Sequence, residues 1–272
     1  MTRIDAKYLA LDLGATKFAY CLSSDVSLPR STRIELPLLG DPDREFASIA
    51  DELGQHALSF QGTAVICVAP SVDDAGYVTS WPNRPYWRNF PLVARFEELL
   101  RCPVRCIGDG EAAALADAGD DRGRAYVSLH FGTGIGGAIV INREIVRFGP
   151  LNAELGHIIV DPSGAHCKCG KRGCLQAEWQ ALRTADVPLD GFLSKLALMI
   201  SNLAQVLPAC HITLGGRLLE ARQDATDCVR REVNAILDCS EWTPAIRSSA
   251  FGSNAPLAGA LREAVKLGAF GA

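Results

Sequence analysis

The sequence holds no run of roughly 20 apolar residues of the kind that crosses a bilayer, and Lys195, Ser201 and Asn202 break its best candidate. Its opening residues, MTRIDAKYLALDLGATK, lack the apolar stretch and small-residue cleavage site of a secretory signal. Positive charge is not in excess: the net charge is −4, which supplies no electrostatic reason to expect nucleic acid or an anionic membrane as partner. Low-complexity stretches and linkers are missing too. These absences predict a compact cytoplasmic protein. What is present is apolar: 48% of the 272 residues are hydrophobic, enough to bury the core of one large domain or two modest ones.

The ten cysteines are unevenly placed. Cys21, Cys67, Cys102, Cys106, Cys210, Cys228 and Cys239 stand alone, whereas Cys167, Cys169 and Cys174 crowd into eight residues. A chain this long needs no disulfide staples. The pattern reads as buried small hydrophobes plus a metal site in a reducing compartment.

Strand and helix signals alternate along the chain. Strands are expected at Tyr8–Leu13, Phe18–Ser23, Ala64–Val68 and Val104–Ile107, with helices at Phe46–Phe60, Leu92–Leu100 and Glu111–Ala118. A second strand–glycine–strand unit follows, Ala125–Phe131 and Ala138–Asn142 around GTGIGG, so the chain reads as two similarly built halves about a cleft. Leu196, Met199, Ile200, Leu203, Val206 and Leu207 then recur at helical spacing until Pro208. His211–Leu214 reads as a strand entering Gly215-Gly216, and Ser253 or Asn254 as the cap of a last helix with Pro256 in its first turn. This alternation predicts a layered α/β architecture. A smaller lobe is expected over residues 1–116, completed by a C-terminal helix at 255–272. A larger lobe follows over 117–254 and carries a metal loop at 157–174.

Two glycine turns bear on chemistry. Asp12-Leu13-Gly14-Ala15-Thr16-Lys17 joins two strands; glycine admits a phosphate close to the backbone and Thr16 adds a hydroxyl. Asp12 would face the phosphate–Mg²⁺ region. Alone, such a turn is better explained by an ordinary hairpin. Gly132-Thr133-Gly134-Ile135-Gly136-Gly137 satisfies the dinucleotide fingerprint literally, but the β-branched AIVINREIVRF follows where that fold demands a helix. Two phosphate-gripping hairpins, one in each half, explain both turns. Asp109, between a strand and a helix, has two readings: helix cap, or general base for a hydroxyl attacking phosphorus.

His157, Cys167, Cys169 and Cys174 lie within eighteen residues. A Cys₃His set suits a closed tetrahedral zinc ion, with no position left for an activated water. Cys167 and Cys169 are too close in sequence to bridge comfortably, and His166 is a second, less suitable ligand.

With these pieces together, the sequence resembles the ROK family of sugar kinases and related repressors, within the actin/hexokinase superfold. The resemblance rests on LALDLGATK, VAPSVDDAGYV, PNRPYW, VRCIGDGEAAALADA, FGTGIGGAIVI, AELGHIIVDPSGAHCKCGKRGCLQA, ITLGGR and NAPLAGALREA. It implies that Asp109 is the catalytic base and that Asn83, Glu154, His157 and Gln176 line the sugar site. Asp12, Gly14, Thr16, Lys17, Gly132, Thr133 and Gly134 would surround the nucleotide phosphates, with Gly215 and Gly216 near the adenosine. It also implies ATP with Mg²⁺ as donor, although polyphosphate would meet similar glycine-turn chemistry, and a homodimer. Two positions depart from the family pattern: Gly108 stands where active kinases usually carry Asn, and Gln176 where they carry Glu. The segment between Leu175 and Gly215 is also short for the family. A catalytically weakened sugar-binding or regulatory protein is therefore the competing expectation. A repressor's DNA-binding module has little room in the seven residues before the first strand.

Overall fold

The computed structural model describes residues 6–57, 60, 62–148, 151–184, 188–238, 241 and 243–270. Cys239, the end of the first expected helix (58–59) and residues 271–272 lie outside the described residues. The chain divides into two compact units, Met1–Ala112 with Pro256–Ala272, and Ala113–Ala255.

The first unit contains β1 (Tyr8–Leu13), β2 (Lys17–Ser23), β3 (Thr32–Glu35), α1 (Pro42–Ala57) and β4 (Thr63–Val68). A small hairpin of β5 (Ser71–Val72) and β6 (Val78–Ser80) follows, then α2 (Leu92–Leu100), β7 (Val104–Gly108) and the start of α3 (Asp109–Ala118). The sheet order is β3-β2-β1-β4-β7: an antiparallel meander joined to two parallel strands. Its core gathers Leu11, Phe18, Ile49, Ile66, Trp87 and Phe96, all fully buried.

The second unit repeats the plan. It contains β8 (Ala125–Phe131), β9 (Ile135–Ile141), β10 (Glu144–Ile145) and a small hairpin of β11 (Arg147–Phe148) and β12 (Leu151–Asn152). Next come α4 (Leu175–Thr184), α5 (Leu189–Val206), β13 (His211–Gly216), α6 (Arg217–Ala221), α7 (Ala225–Leu237) and β14 (Ala245–Ser248). Its sheet order, β10-β9-β8-β13-β14, matches the first: three antiparallel strands followed by two parallel ones. Asp117, in α3, accepts hydrogen bonds from Ser128 (2.6 Å) and Ser249 (2.8 Å) and pairs with His130 Nε2 (2.9 Å), tying that helix to β8 and β14. The last helix, α8 (Ala255–Phe270), returns to the first unit, where Gly259 lets it approach the carbonyl of Ala112; a Cβ there would stand 1.6 Å from that oxygen.

Several expected boundaries shift. The first helix begins at Pro42 rather than Phe46, because Asp41 caps it, its carboxylate accepting from the amides of Asp43 (2.9 Å) and Arg44 (3.2 Å). The strand expected at Ala138–Asn142 begins at Ile135, so Gly136 and Gly137 pair within the ladder, and Asn142 turns with φ +53°. The strand expected at His211–Leu214 runs on through Gly216.

Candidate active site and metal cluster

In the first unit the expected site residues Asp12 and Asp109 lie at the C-terminal edge of parallel strands, where open α/β sheets place their sites. The hairpin after β1 is closed by the Gly14 amide donating to the Lys17 carbonyl (2.9 Å), with Thr16 and Lys17 exposed. Arg84 holds this turn from behind. Its Nε donates to the Ala15 carbonyl (2.8 Å), and its other nitrogens donate to the carbonyls of Leu36 and Pro37 (both 2.9 Å) and to the Glu45 carboxylate. Arg84 is 1% exposed and Glu45 0%, so this is a buried ion pair with most of its lone pairs and protons satisfied. Neither residue was read as functional from the sequence; PNRPYW and an acid in the first turn of α1 were the available signals. Asn83, beside Arg84, is exposed.

Asp12 lies in register with Cys67 on β4 and faces Asp109 electrostatically. Burial, then the Asp109 carboxylate, push Asp12 up to about 7, while the Cys67 thiol and Arg33 oppose the shift. Asp109 opens α3, and its Oδ1 accepts from the Gly110 amide (2.7 Å). In the same turn Glu111 Oε2 takes the Gly108 amide (2.8 Å), the reciprocal half of a capping box. A Cβ at Gly108 would meet Glu111 Oε2 at 3.4 Å, an ordinary contact, so packing does not require glycine there.

In the second unit the turn after β8 is closed by the Gly132 amide donating to the Gly134 carbonyl (2.8 Å), leaving Thr133 exposed at its tip. Gly215 and Gly216 end β13, paired with His130 and Phe131. Gly216 has φ +78°, and a Cβ there would lie 2.4 Å from the Phe131 carbonyl oxygen, so only glycine fits. Glu154 precedes a short 3₁₀ turn, Leu155–His157; it is exposed and makes no side-chain cap hydrogen bond. Gln176, on α4, has its carbonyl oxygen engaged by the Ile135 amide (3.1 Å).

The four expected metal ligands converge. One donor atom from each of His157, Cys167, Cys169 and Cys174 lies within 4.8 Å of the others. His157 Nδ1 is 3.4 Å from Cys167 Sγ, and Cys169 Sγ is 3.6 Å from Cys174 Sγ. A tetrahedral zinc, about 2.3 Å from sulfur and about 2.0 Å from nitrogen, needs ligand atoms about 3.5–3.8 Å apart, so the set fits that ion. Burial, with the adjacent Cys167 and Cys169 thiols, pushes Cys174 up to about 12; a dication among the sulfurs reverses this. His166 is not one of the four, and its ring meets the Arg172 guanidinium. Gly173, with φ +64°, closes the loop where a Cβ would overlap the Asp161 carbonyl at 1.5 Å.

Two sheets of the same strand order, each opening on a hairpin with a glycine turn, define a protein of the actin/hexokinase superfold. The ROK family model matches residues 8–180, and the chain belongs to that family. Among its relatives, kanosamine kinase of Amycolatopsis mediterranei is 30% identical over 77% of this chain and 80% of the relative. Glucokinase of Thermotoga maritima is 32% identical over 73% of this chain and 65% of the relative. A ROK family glucokinase from Streptomyces griseus, solved with glucose and AMPPNP, superposes with a TM-score of 0.73 at 23% identity, covering 95% of this chain and 99% of that one.

Proposed function

We propose that the protein is a sugar kinase that transfers the γ-phosphoryl of ATP to a hydroxyl of a hexose or N-acetylhexosamine. The observation carrying this reading is the acidic pair Asp12 and Asp109 beside the first glycine turn, in a chain whose relatives are named as sugar kinases. Asp109 stands at the C-terminal end of β7 and the start of α3, the edge of the sheet where ligands of α/β folds gather, and its carboxylate serves as the base. The sugar oxygen bonds to the γ-phosphorus as the bond to the β-phosphate oxygen breaks; the hydroxyl proton passes to Asp109 and ADP leaves. Asp12 is suited to hold Mg²⁺ directly or through water, and the cation would neutralise charge developing on the phosphates.

Thr16 and Lys17 of one turn and Thr133 of the other would meet the phosphates, with Gly14, Gly132 and Gly134 letting them approach the backbone closely and Gly215 and Gly216 beside the adenosine. Asn83, Glu154, His157 and the amide nitrogen of Gln176 orient the sugar. His157 would bind zinc through Nδ1, and its Nε2 remains for a sugar hydroxyl. The zinc is structural. The two units are the two lobes of the kinase, and the protein works in the cytoplasm as a homodimer. Among the described residues, no helix is long and apolar enough to cross a membrane.

Gly108 favours a competing reading, a sugar-binding protein with weakened catalysis. A coupled ADP-release screen over hexoses, amino sugars and N-acetylhexosamines separates the two. Turnover with at least one sugar is expected; silence across the panel, with sugar binding retained, would establish the competing reading.

A further inference from the structure

The metal cluster and the second glycine turn are joined by one helix. Cys174, the last metal-cluster residue, immediately precedes α4, and its carbonyl accepts the first helical amides, those of Ala177 (2.8 Å) and Glu178 (3.1 Å). Two residues of α4, three positions apart and so on one face, reach the turn. Gln176 Oε1 accepts from the Ile135 amide (3.1 Å), and Trp179 Nε1 donates to the Gly132 carbonyl (3.1 Å). These bonds take the two ends of the turn, the Gly132 carbonyl and the Ile135 amide, on either side of Thr133 and Gly134. The helix is itself fixed. Trp179 is 4% exposed and packs edge-on to Phe131, with ring centroids 5.3 Å apart. Glu178 accepts from the Ala165 amide of the metal loop (2.8 Å) and from Lys195 (2.6 Å). The fit is close: a Cβ on Gly134 would lie 2.9 Å from Gln176 Oε1, and one on Gly156, beside His157, would lie 2.8 Å from the Ile135 carbonyl oxygen.

We propose that Gln176 and Trp179 are positioning residues for the phosphate-binding turn, and that the metal, by anchoring α4 at Cys174, sets nucleotide affinity as well as the sugar-facing wall. The role of the turn rests on the kinase reading above; the mechanical link does not. A bound zinc holds the residue from which α4 starts, α4 holds the Gly132 carbonyl and the Ile135 amide, and the turn between them is thereby preset for phosphate. Without the metal the start of the helix loosens and the turn loses both of its props.

Hydrogen exchange of the 132–137 segment, in nucleotide-free protein, reads the link directly. Chelating the metal, or substituting Gln176→Leu in metal-loaded protein, should speed exchange at Ile135 about fivefold or more, as expected for one lost neutral hydrogen bond, and Trp179→Phe should speed exchange across the 132–137 segment by loosening the turn at the Gly132 carbonyl. Both variants should keep one zinc per chain. Calorimetry with AMPPNP and Mg²⁺ should show affinity reduced about five- to tenfold in both, with the sugar KM of Trp179→Phe unchanged. Gln176→Glu, which retains an acceptor oxygen, should restore the affinity.

Unchanged exchange on chelation overturns the link, and so does global unfolding, because the metal would then hold the whole unit rather than the turn. Wild-type affinity for AMPPNP in both variants overturns the positioning role. If the wild-type chain binds no AMPPNP at all, the kinase reading falls instead, and the exchange measurement still decides the link.

Discussion

Asp12 and Gly108 are the two residues at which the site departs furthest from a generic α/β sheet edge. Asp12 has a folded-state pKa of about 7 against an ordinary 3.8. Below pH 4 the carboxyl is protonated in both states and costs nothing. Between pH 4 and about 7 the unfolded chain releases the proton that the folded chain keeps, so stability falls through that window and stays lower above it. Asp12→Asn should therefore be more thermally stable than wild type at pH 8, with the difference vanishing towards pH 4. A difference independent of pH would contradict this. In the proposed kinase reading, Gly108 bears on the sugar. Its place before Asp109 has room for a side chain, and Gly108→Asn should lower the sugar KM several-fold by adding one amide to the site. No change in sugar KM would mean that position 108 does not face the substrate.

Among the elements, the two glycine hairpins were legible because alternating β-branched and apolar residues flank each glycine run, and helix α2 because its apolar spacing is regular. The edges of elements were harder to read. Asp41-Pro42 is a cap followed by a proline in the first turn, a helix start overlooked in favour of the apolar run from Phe46. Gly136 and Gly137 look like loop in sequence yet pair with His130 and Leu129 in the ladder. What holds the turns was not legible at all, because each prop comes from far along the chain: Arg84 reaches Ala15 across 69 positions and Trp179 reaches Gly132 across 47. Burial alone would raise the Glu45 carboxyl, but bonds from Tyr86, Trp87, the Leu39 amide and Arg84 outweigh it and keep the group below its ordinary value. Arg84→Met leaves that carboxylate buried without its cation, which should cost about 3–5 kcal/mol of stability. It also frees the Ala15 carbonyl, so the nucleotide KM should rise. Denaturant unfolding within 1 kcal/mol of wild type, at the precision expected of such data, would show the pair to be dispensable.

At the scale of the whole molecule, the repeated sheet order was anticipated from two strand–glycine–strand units, and the Cys₃His convergence from spacing alone. Both signals are local in sequence, which is why they were readable. The pairing of Asp12 with Asp109 was not, since it depends on β4 lying between β1 and β7 and placing Cys67 beside Asp12. The same limit applies to the substrate: the proposed sugar contacts include exposed side chains such as Asn83 and Glu154, and their selectivity depends on ligand atoms that the sequence does not carry. The proposed phosphoryl transfer depends on one proton acceptor. The decisive measurement is ADP release with the best sugar from the screen, comparing wild type with Asp109→Asn at matched folding and matched sugar binding. The expected result is a fall in kcat of about 10²–10⁴-fold with sugar and nucleotide affinities nearly unchanged; a variant that keeps most of its turnover would contradict Asp109 as the base and the mechanism built on it.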